Sequence, residues 1–526
     1  MQYIKLKFLG FALMVFISLP IYSAVHLKVA IEKGEFWWIG IVNQGNLQPL
    51  KNGYKANLFG NLYGNQSQPL LLSNTGKVIW SDDPFEIEIQ NDSLSLVKSS
   101  GTFVYQKVAT DLRNAYLYAS KNFFPPTGTI PDELMFTKPQ YNTWIELLYN
   151  QNQEDILGYA TTILKKNFPP GVIMIDDNWQ EDYGKWQFHP GRFLDPKKMI
   201  DSLHHMGFKV MVWICPFVSA DSDAGRMLAG KDLLLKTKTG ETSIIHWWNG
   251  YSSVLDFSNP LAVNWFKSQL NHLKDVYGVD GFKFDAGDPE YYLDGISAQV
   301  ITPNQHSELF SKIGIGYPLN EYRATWKMGG QPLAQRLRDK GHTWSDLQTL
   351  IPNILLQGMM GYPFTCPDMI GGGEMGSFQN LQKVDQELIV RSAQCHAFMP
   401  MMQFSVAPWR VLDEIHFNAL KKALGLRMKN IGLILELAKK AAQTGEPIVR
   451  SMEYMFPHQG CETITDQFML GDQLLIAPFI NNTLTYRVVV IPKGKWVDDK
   501  GKTIAGPQLL KVPSELERIP YYKKVN

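Results

Sequence analysis

Between about residues 130 and 440 the chain repeats one pattern, and that pattern narrows the folds open to it. Short apolar runs end in an acid or an aromatic, and stretches with helical spacing follow them. Gly171-Val-Ile-Met-Ile-Asp reads as a buried strand, and a helix is expected around Pro196 to His205. Phe208-Lys-Val-Met-Val-Trp-Ile is the next strand. Pro260 to Tyr277 reads as a helix with Phe266, Leu270 and Leu273 on one face. Gly281-Phe-Lys-Phe-Asp is a further strand, Leu347 to Met360 reads as helix, and Tyr362-Pro-Phe-Thr-Cys is strand-like. So long an alternation predicts an α/β chain built on a (β/α)8 TIM barrel rather than a small open sheet.

The flanks read differently. Residues 25 to about 125 are expected to be β. Phe85-Glu-Ile-Glu-Ile alternates, Asn91-Asp92 supplies a turn, and Ser93-Leu-Ser-Leu alternates again. Closely spaced turn residues suit a β-sandwich, and Phe123-Phe-Pro-Pro-Thr-Gly marks its end. After about 445 the β pattern returns in Gln473-Leu-Leu-Ile-Ala, Tyr486-Arg-Val-Val-Val-Ile-Pro and Gly494-Lys-Trp-Val. The expected division is an N-terminal β-sandwich over 25–128, a barrel over 129–444 and a C-terminal β domain over 445–526. Residues 1–24 read as a signal peptide, with Lys5 and Lys7 ahead of the apolar run Phe8 to Tyr22, which is too short and too broken by Pro20 for a good membrane span. Export to the periplasm or the extracellular space is therefore expected. An uncleaved N-terminal anchor is the alternative.

Composition removes several function classes. Lys plus Arg number 51 and Asp plus Glu 50, a formal charge of +1, so no basic surface for nucleic acid is implied. No later stretch is long and apolar enough to span a bilayer, so no membrane partner is expected for the mature chain. Cys215, Cys366, Cys395 and Cys461 are far apart and form neither a disulfide framework nor a zinc ribbon. There is no HExxH, and the adjacent His204 and His205 point apart on a helix, so no metal and no cofactor is expected. Gly371-Gly-Gly lacks the Lys-Ser/Thr of a phosphate loop. The aromatic share of 12% suits clefts for sugars, whose C–H faces pack on rings, although many rings must be core.

Asp176-Asp177, Trp213, Asp285 and Asp368 lie within or just after apolar runs, where a barrel carries its active site. Here longer motifs become recognisable. Val279-Asp-Gly-Phe-Lys-Phe-Asp-Ala-Gly-Asp, Gly361-Tyr-Pro-Phe-Thr-Cys-Pro-Asp-Met-Ile-Gly-Gly, Arg391-Ser-Ala-Gln-Cys-His-Ala-Phe-Met-Pro-Met-Met-Gln-Phe-Ser and Asp466-Gln-Phe-Met-Leu-Gly-Asp-Gln-Leu-Leu-Ile-Ala-Pro occur in that order. The chain resembles family-31 glycoside hydrolases, which mostly cleave α-glycosides with retention. The family's α-glucosidases usually carry Trp-x-Asp-Met-Asn-Glu at the nucleophile strand, and this chain departs from that. Lys283-Phe-Asp-Ala-Gly, His246-Trp-Trp-Asn-Gly and Pro367-Asp-Met-Ile-Gly-Gly resemble the branch that holds bacterial α-galactosidases and the myogenesis-regulating glycosidase.

The resemblance implies site residues. A retaining glycosidase needs two carboxyl groups about 5–5.5 Å apart, one as nucleophile and one as acid then base. Asp285 matches the nucleophile. Lys283, on the same strand face, could hold it ionised and meet a sugar hydroxyl. Asp339 in Arg336-Leu-Arg-Asp-Lys-Gly matches the acid/base position, although the usual Gly-Asp-Asn is replaced. Its environment should favour the protonated form before glycosylation. Asp346 is the competitor, and more simply a first-turn acid of the next helix. Asp176 matches an acid that grips the sugar in the cleavage subsite; of Asp176 and its neighbour Asp177 one should be structural, since neighbours on a strand face opposite ways. Arg323, Arg336, Trp144, Trp248 and Asp368 complete the expected sugar-binding set, and Asp256 is expected to hold the barrel top together.

The leading expectation is a retaining exo-acting α-galactosidase acting on an α-galactoside oligosaccharide or glycoconjugate. Another α-glycosidase of the family (α-glucosidase or α-xylosidase), a transglycosylase and a non-catalytic carbohydrate-binding protein are the alternatives.

Overall fold

The computed structural model describes residues 24–379 and 384–525, so the expected signal peptide lies outside the described residues. Among the described residues three hydrophobic clusters form: one fills the barrel and takes in Trp38, Leu70 and Leu470 from the flanks, one lies in the N-terminal β region together with Trp326, and one lies in the C-terminal β region.

The barrel strands are β1 Gln140–Asn142, β2 Val172–Ile175, β3 Lys209–Ile214, β4 Gly281–Phe284, β5 Asn320–Tyr322, β6 Gln335–Arg336, β7 in two pieces, Thr365–Cys366 and Met369–Ile370, and β8 Gln403–Phe404. All neighbours pair in parallel, and β8 pairs back to β1, which closes the ring. The break in β7 falls at Pro367-Asp368. Proline cannot donate to a ladder, and Asp368 has φ +66. The first piece pairs with β6 and the second with β8.

Helices follow most strands: α1 Gln153–Lys165, α2 Pro196–His205, α3 Pro260–His272, α4 Pro303–Ile313, α5 Trp344–Met359, α6 Gln386–His396 and α7 Glu414–Thr444. Their starts are set by caps. Asp195 accepts from the Lys198 amide ahead of Pro196, and Thr302 and Gln305 form a reciprocal capping box. The expected helix over Pro260 to Tyr277 is α-helical to His272, then widens into one π-helical turn and ends at Gly278 in the left-handed region. Between β5 and β6 there is no helix. The connection instead sends Thr325–Trp326 to pair with Gln66–Ser73 of the N-terminal β region.

That N-terminal region stacks a four-stranded and a five-stranded sheet. It also holds a helix, Leu112–Phe123, in a stretch the sequence reading gave to β. Leu112, Ala115, Tyr116 and Ala119 recur at helical spacing and are buried against the barrel-side core, and Asp111 caps the start. Beyond α7 a six-stranded sheet forms the C-terminal domain. All four cysteines are free and buried. Among the described residues no helix is long and apolar enough to cross a membrane.

Candidate active site

A cavity of about 620 Å³ opens at the C-terminal ends of the barrel strands. Trp144 follows β1, Asp176 and Asp177 follow β2, Trp213 lies in β3, Lys283 and Asp285 lie in and just after β4, Arg323 follows β5, and Asp339 follows β6. Trp213, Lys283 and Glu321 are register partners across β3, β4 and β5, so they share the inner face of the sheet. Trp248 comes from the tip of a hairpin inserted after β3, Ile244–Trp247 with Gly250–Val254. Asn61, Tyr63 and Gly64 come from the N-terminal region.

Asp285 sits at the floor with its oxygens assigned. Oδ1 accepts from Arg323 Nε at 2.9 Å and from the Ala286 amide at 2.8 Å, while among the described residues Oδ2 accepts only from Trp213 Nε1 at 3.1 Å. A carboxylate oxygen has room for a second partner, so Oδ2 is the better placed to attack. Burial alone would raise the Asp285 pKa, but Arg323, Lys283 and Arg336 more than reverse this and hold the carboxyl well below the usual range. Arg323 is itself held by Asp288 (Nη1 at 3.1 Å, Nη2 at 2.5 Å) and by the Gly64 carbonyl at 2.8 Å.

Asp339 is nearer the mouth, its side chain 38% exposed against 11% for Asp285. Its Oδ1 accepts from Arg336 Nη1 at 2.5 Å. A Cβ on Gly373 would stand 2.7 Å from that oxygen, so glycine there leaves the carboxyl its place. The sequence reading looked for an acid held protonated at Asp339. Behind it, Asp368 is pushed up by burial first and by the Asp339 carboxylate second, and Glu321 is pushed up by burial. Thr343 caps α5 by accepting from the Asp346 amide, and Asp346 is a first-turn acid whose Oδ2 accepts from the Gly341 amide at 2.7 Å.

Asp176 and Asp177 both line the cavity, because the strand ends at Ile175 and alternation no longer governs them. Asp176 takes Lys283 Nζ at 2.6 Å. Asp177 takes the Asn178 amide, the Tyr183 hydroxyl and Asn249 Nδ2, which ties the Trp248 hairpin to the end of β2. Burial and the neighbouring Asp176 carboxylate push Asp177 up to about 7.

Residues 135–436 match the family model "Glycosyl hydrolases family 31 TIM-barrel domain", and residues 445–526 match "Glycosyl hydrolase family 31 C-terminal domain". The chain belongs to glycoside hydrolase family 31. Among curated relatives it is 33% identical to the myogenesis-regulating glycosidase of Mus musculus, over 79% of this chain and 60% of that one. It is 26% identical to alpha-glucosidase 2 of Bacillus thermoamyloliquefaciens, over 71% of this chain and 51% of the relative. The chain thus spans between half and two thirds of the length of these two relatives. A GH31 dextranase of Flavobacterium johnsoniae, solved with glucose, shares the fold at a TM-score of 0.85 and 20% identity, covering 96% of this chain and 67% of that chain.

Within this family-31 chain, eight of the ten expected site residues line one cavity: Asp285, Asp339, Asp176, Asp177, Lys283, Arg323, Trp144 and Trp248. Arg336 and Asp368 do not. Both are buried behind the wall, where Arg336 faces Glu321 at 3.2 Å, Asp339 at 2.5 Å and Asp368 at 3.0 Å. The sugar contact expected of these two has no counterpart in the cavity lining, because both are buried against Asp339. Three further lining residues lie outside the expected set: Asp288, at the end of the Val279-Asp-Gly-Phe-Lys-Phe-Asp-Ala-Gly-Asp motif, and Asn61 and Tyr63, whose approach across domains has no local signal. Asp256 bonds Ser258, the Ala298 amide and His306 near the barrel top. Among the described residues no group of three or more His, Cys, Asp or Glu side chains is placed to hold a metal ion.

Proposed function

We propose that the chain is a retaining, exo-acting α-glycosidase whose preferred substrates are α-galactosides. The observation that carries this reading is the shared cavity with one ionised carboxylate at its floor and a second carboxyl nearer its mouth. In the first step Asp285 Oδ2 attacks the anomeric carbon and Asp339 gives its proton to the leaving oxygen. A β-glycosyl ester forms on Asp285 as the glycosidic C–O bond breaks. In the second step Asp339 takes a proton from water, water attacks the same carbon, and the α-anomer leaves with Asp285 again a carboxylate.

A terminal sugar entering end-on meets Asp285 last and leaves its aglycone at the mouth beside Asp339, which supports exo action. The Lys283-Phe-Asp-Ala-Gly strand and the Trp247-Trp248 hairpin support galactose through their likeness to the α-galactosidase branch. The similarity to an alpha-glucosidase favours a second reading with α-glucosides. Epimers at C4 are separated only by what surrounds O4, and a pocket built to bond one leaves its own groups unpaired with the other. Hydrolysis of a panel of aryl α-galactoside, α-glucoside and α-xyloside tests this. The α-galactoside should show the highest kcat/KM; a preference for the α-glucoside moves the substrate to the second reading, and binding without turnover by any member leaves a carbohydrate-binding protein. We further propose export of the chain, to be read by cell fractionation; retention of the full-length chain in the membrane fraction would favour an anchor.

A further inference from the structure

Arg336 is one cation set against three carboxyl groups. It faces Glu321, Asp339 and Asp368, and Glu321 and Asp368 are fully buried with it. Its Nη1 bonds Asp339 Oδ1 and Asp368 Oδ1 at once, so these two carboxyl groups lie within two hydrogen-bond lengths of each other. Asp368 Oδ2 accepts from the Lys340 amide at 2.9 Å, which fixes its plane. Three negative charges around one buried cation are costly, and two close carboxylates relieve the cost by keeping a proton between them.

We propose that Asp368 is a positioning residue that forms a one-proton pair with Asp339 across Arg336, and so keeps the acid/base charged with the proton it donates. This rests on the reading of Asp339 as acid/base. The surroundings support it. Burial, and then the Asp339 carboxylate, raise Asp368 far above the ordinary carboxylate range. Burial likewise raises Glu321, against the pull of Arg336 and Lys283. Of the other groups packed around Asp368, Lys340 supplies a counter-charge that pulls the Asp368 pKa down, but by less than burial and the Asp339 carboxylate push it up. His396 of α6 touches the Asp368 carbonyl at 3.2 Å and is pushed down to about 4 by burial, so it is neutral. Cys366 Sγ also meets that carbonyl, and burial pushes its thiol up. His342 and Lys340 are both pushed down by burial, and Lys340 Nζ is bonded to Thr349 Oγ1. Farther across Arg336, Lys283 is tied to Asp176 and Arg323 to Asp285 and Asp288. The backbone at Asp368 sits at φ +66, in the break of β7, and this conformation carries the carboxyl out of the ladder toward Arg336.

The pair has a sign that an isolated acid lacks. With Asp368 present, the last shared proton leaves at high pH, so the basic limb of the rate profile is high. Asp368→Asn leaves Asp339 alone beside Arg336, and the proton is lost at lower pH. The test measures kcat/KM against pH for wild type, Asp368→Asn and Asp339→Ala. The substrates are two versions of the aryl α-glycoside cleaved fastest, one with a poor and one with a good leaving group. With the poor leaving group, Asp368→Asn should move the basic limb down by about one pH unit or more, with the acid limb, set by Asp285, unmoved. With the good leaving group it should change by less than about threefold. An unmoved basic limb, or equal losses on both substrates, overturns the pair. Asp339→Ala separates the two claims: loss confined to the poor leaving group upholds the acid/base role, and uniform loss overturns that role and the pair with it. Should Asp368→Asn not fold, the reciprocal measurement decides. The infrared band of a protonated buried carboxyl should titrate at lower pH in Asp339→Asn than in wild type, and an identical titration overturns the pair.

Discussion

The floor and the mouth of this cavity hold the same functional group in opposite surroundings. At the floor Asp285 is ringed by Arg323, Lys283 and Arg336, and three hydrogen bonds fix its plane. At the mouth Asp339 is partly exposed and touches one shared cation. The difference suits the two roles proposed for them. A nucleophile must stay ionised and must not turn, so its environment is rigid and cationic. A group that gives a proton and then takes one back needs both states within reach, and a crowd of bound cations would forbid the first.

The contrast can be broken at the floor first. Asp285→Asn should lower turnover by about ten-thousand-fold or more while leaving the fold intact, since an amide forms no glycosyl ester; circular dichroism with steady-state kinetics checks both. Asp339→Ala should cost about a hundred- to ten-thousand-fold in kcat/KM on poor leaving groups and little on activated ones, whose kcat falls instead because water loses its general base in the second step. Added azide should then attack the glycosyl-enzyme in place of water and restore turnover of the activated substrate as an α-azide. Arg323→Gln tests what keeps the floor ionised. Activity needs the Asp285 carboxylate, whose pKa the native site depresses, so activity falls as pH drops through that pKa. Losing Arg323 should raise the acid limb of kcat/KM by about one to three units, with kcat/KM down about a hundredfold near neutral pH. The smallest change sharpens the mouth alone. Gly373→Ala puts a methyl against Asp339 Oδ1 and Met369 Cε, both ends of side chains that can move. A displaced acid should cost about tenfold on poor leaving groups, with little change in Tm.

The floor was more legible in the sequence than the mouth. Asp176 ends an uninterrupted apolar run and Asp285 one broken only by Lys283, and in a parallel barrel such runs are strands whose C-terminal ends converge. Arg323 and Asp339 follow very short strands, so only the longer motif pointed to them. Asp288 was hidden because Gly287, at φ +78, turns the chain after β4 and no periodicity reports where the next side chain faces. Asn61 and Tyr63 reach the site only because Thr325–Trp326 joins the N-terminal sheet in place of a barrel helix. The helix Leu112–Phe123 was legible after all, in an Asp111 cap and four apolar positions at helical spacing, and was lost among the alternating segments before it. Which carboxyl the cluster raises could not be read from spacing. That depends on Asp368 and Asp339 meeting one guanidinium from different strands.

Proton NMR of the first sugar released from an aryl α-galactoside tests the central claim most directly. The account predicts α-galactose as the first product, relaxing to the anomeric mixture, at a rate above those for the α-glucoside and α-xyloside. β-Galactose as the first product would contradict a glycosyl-enzyme on Asp285 outright.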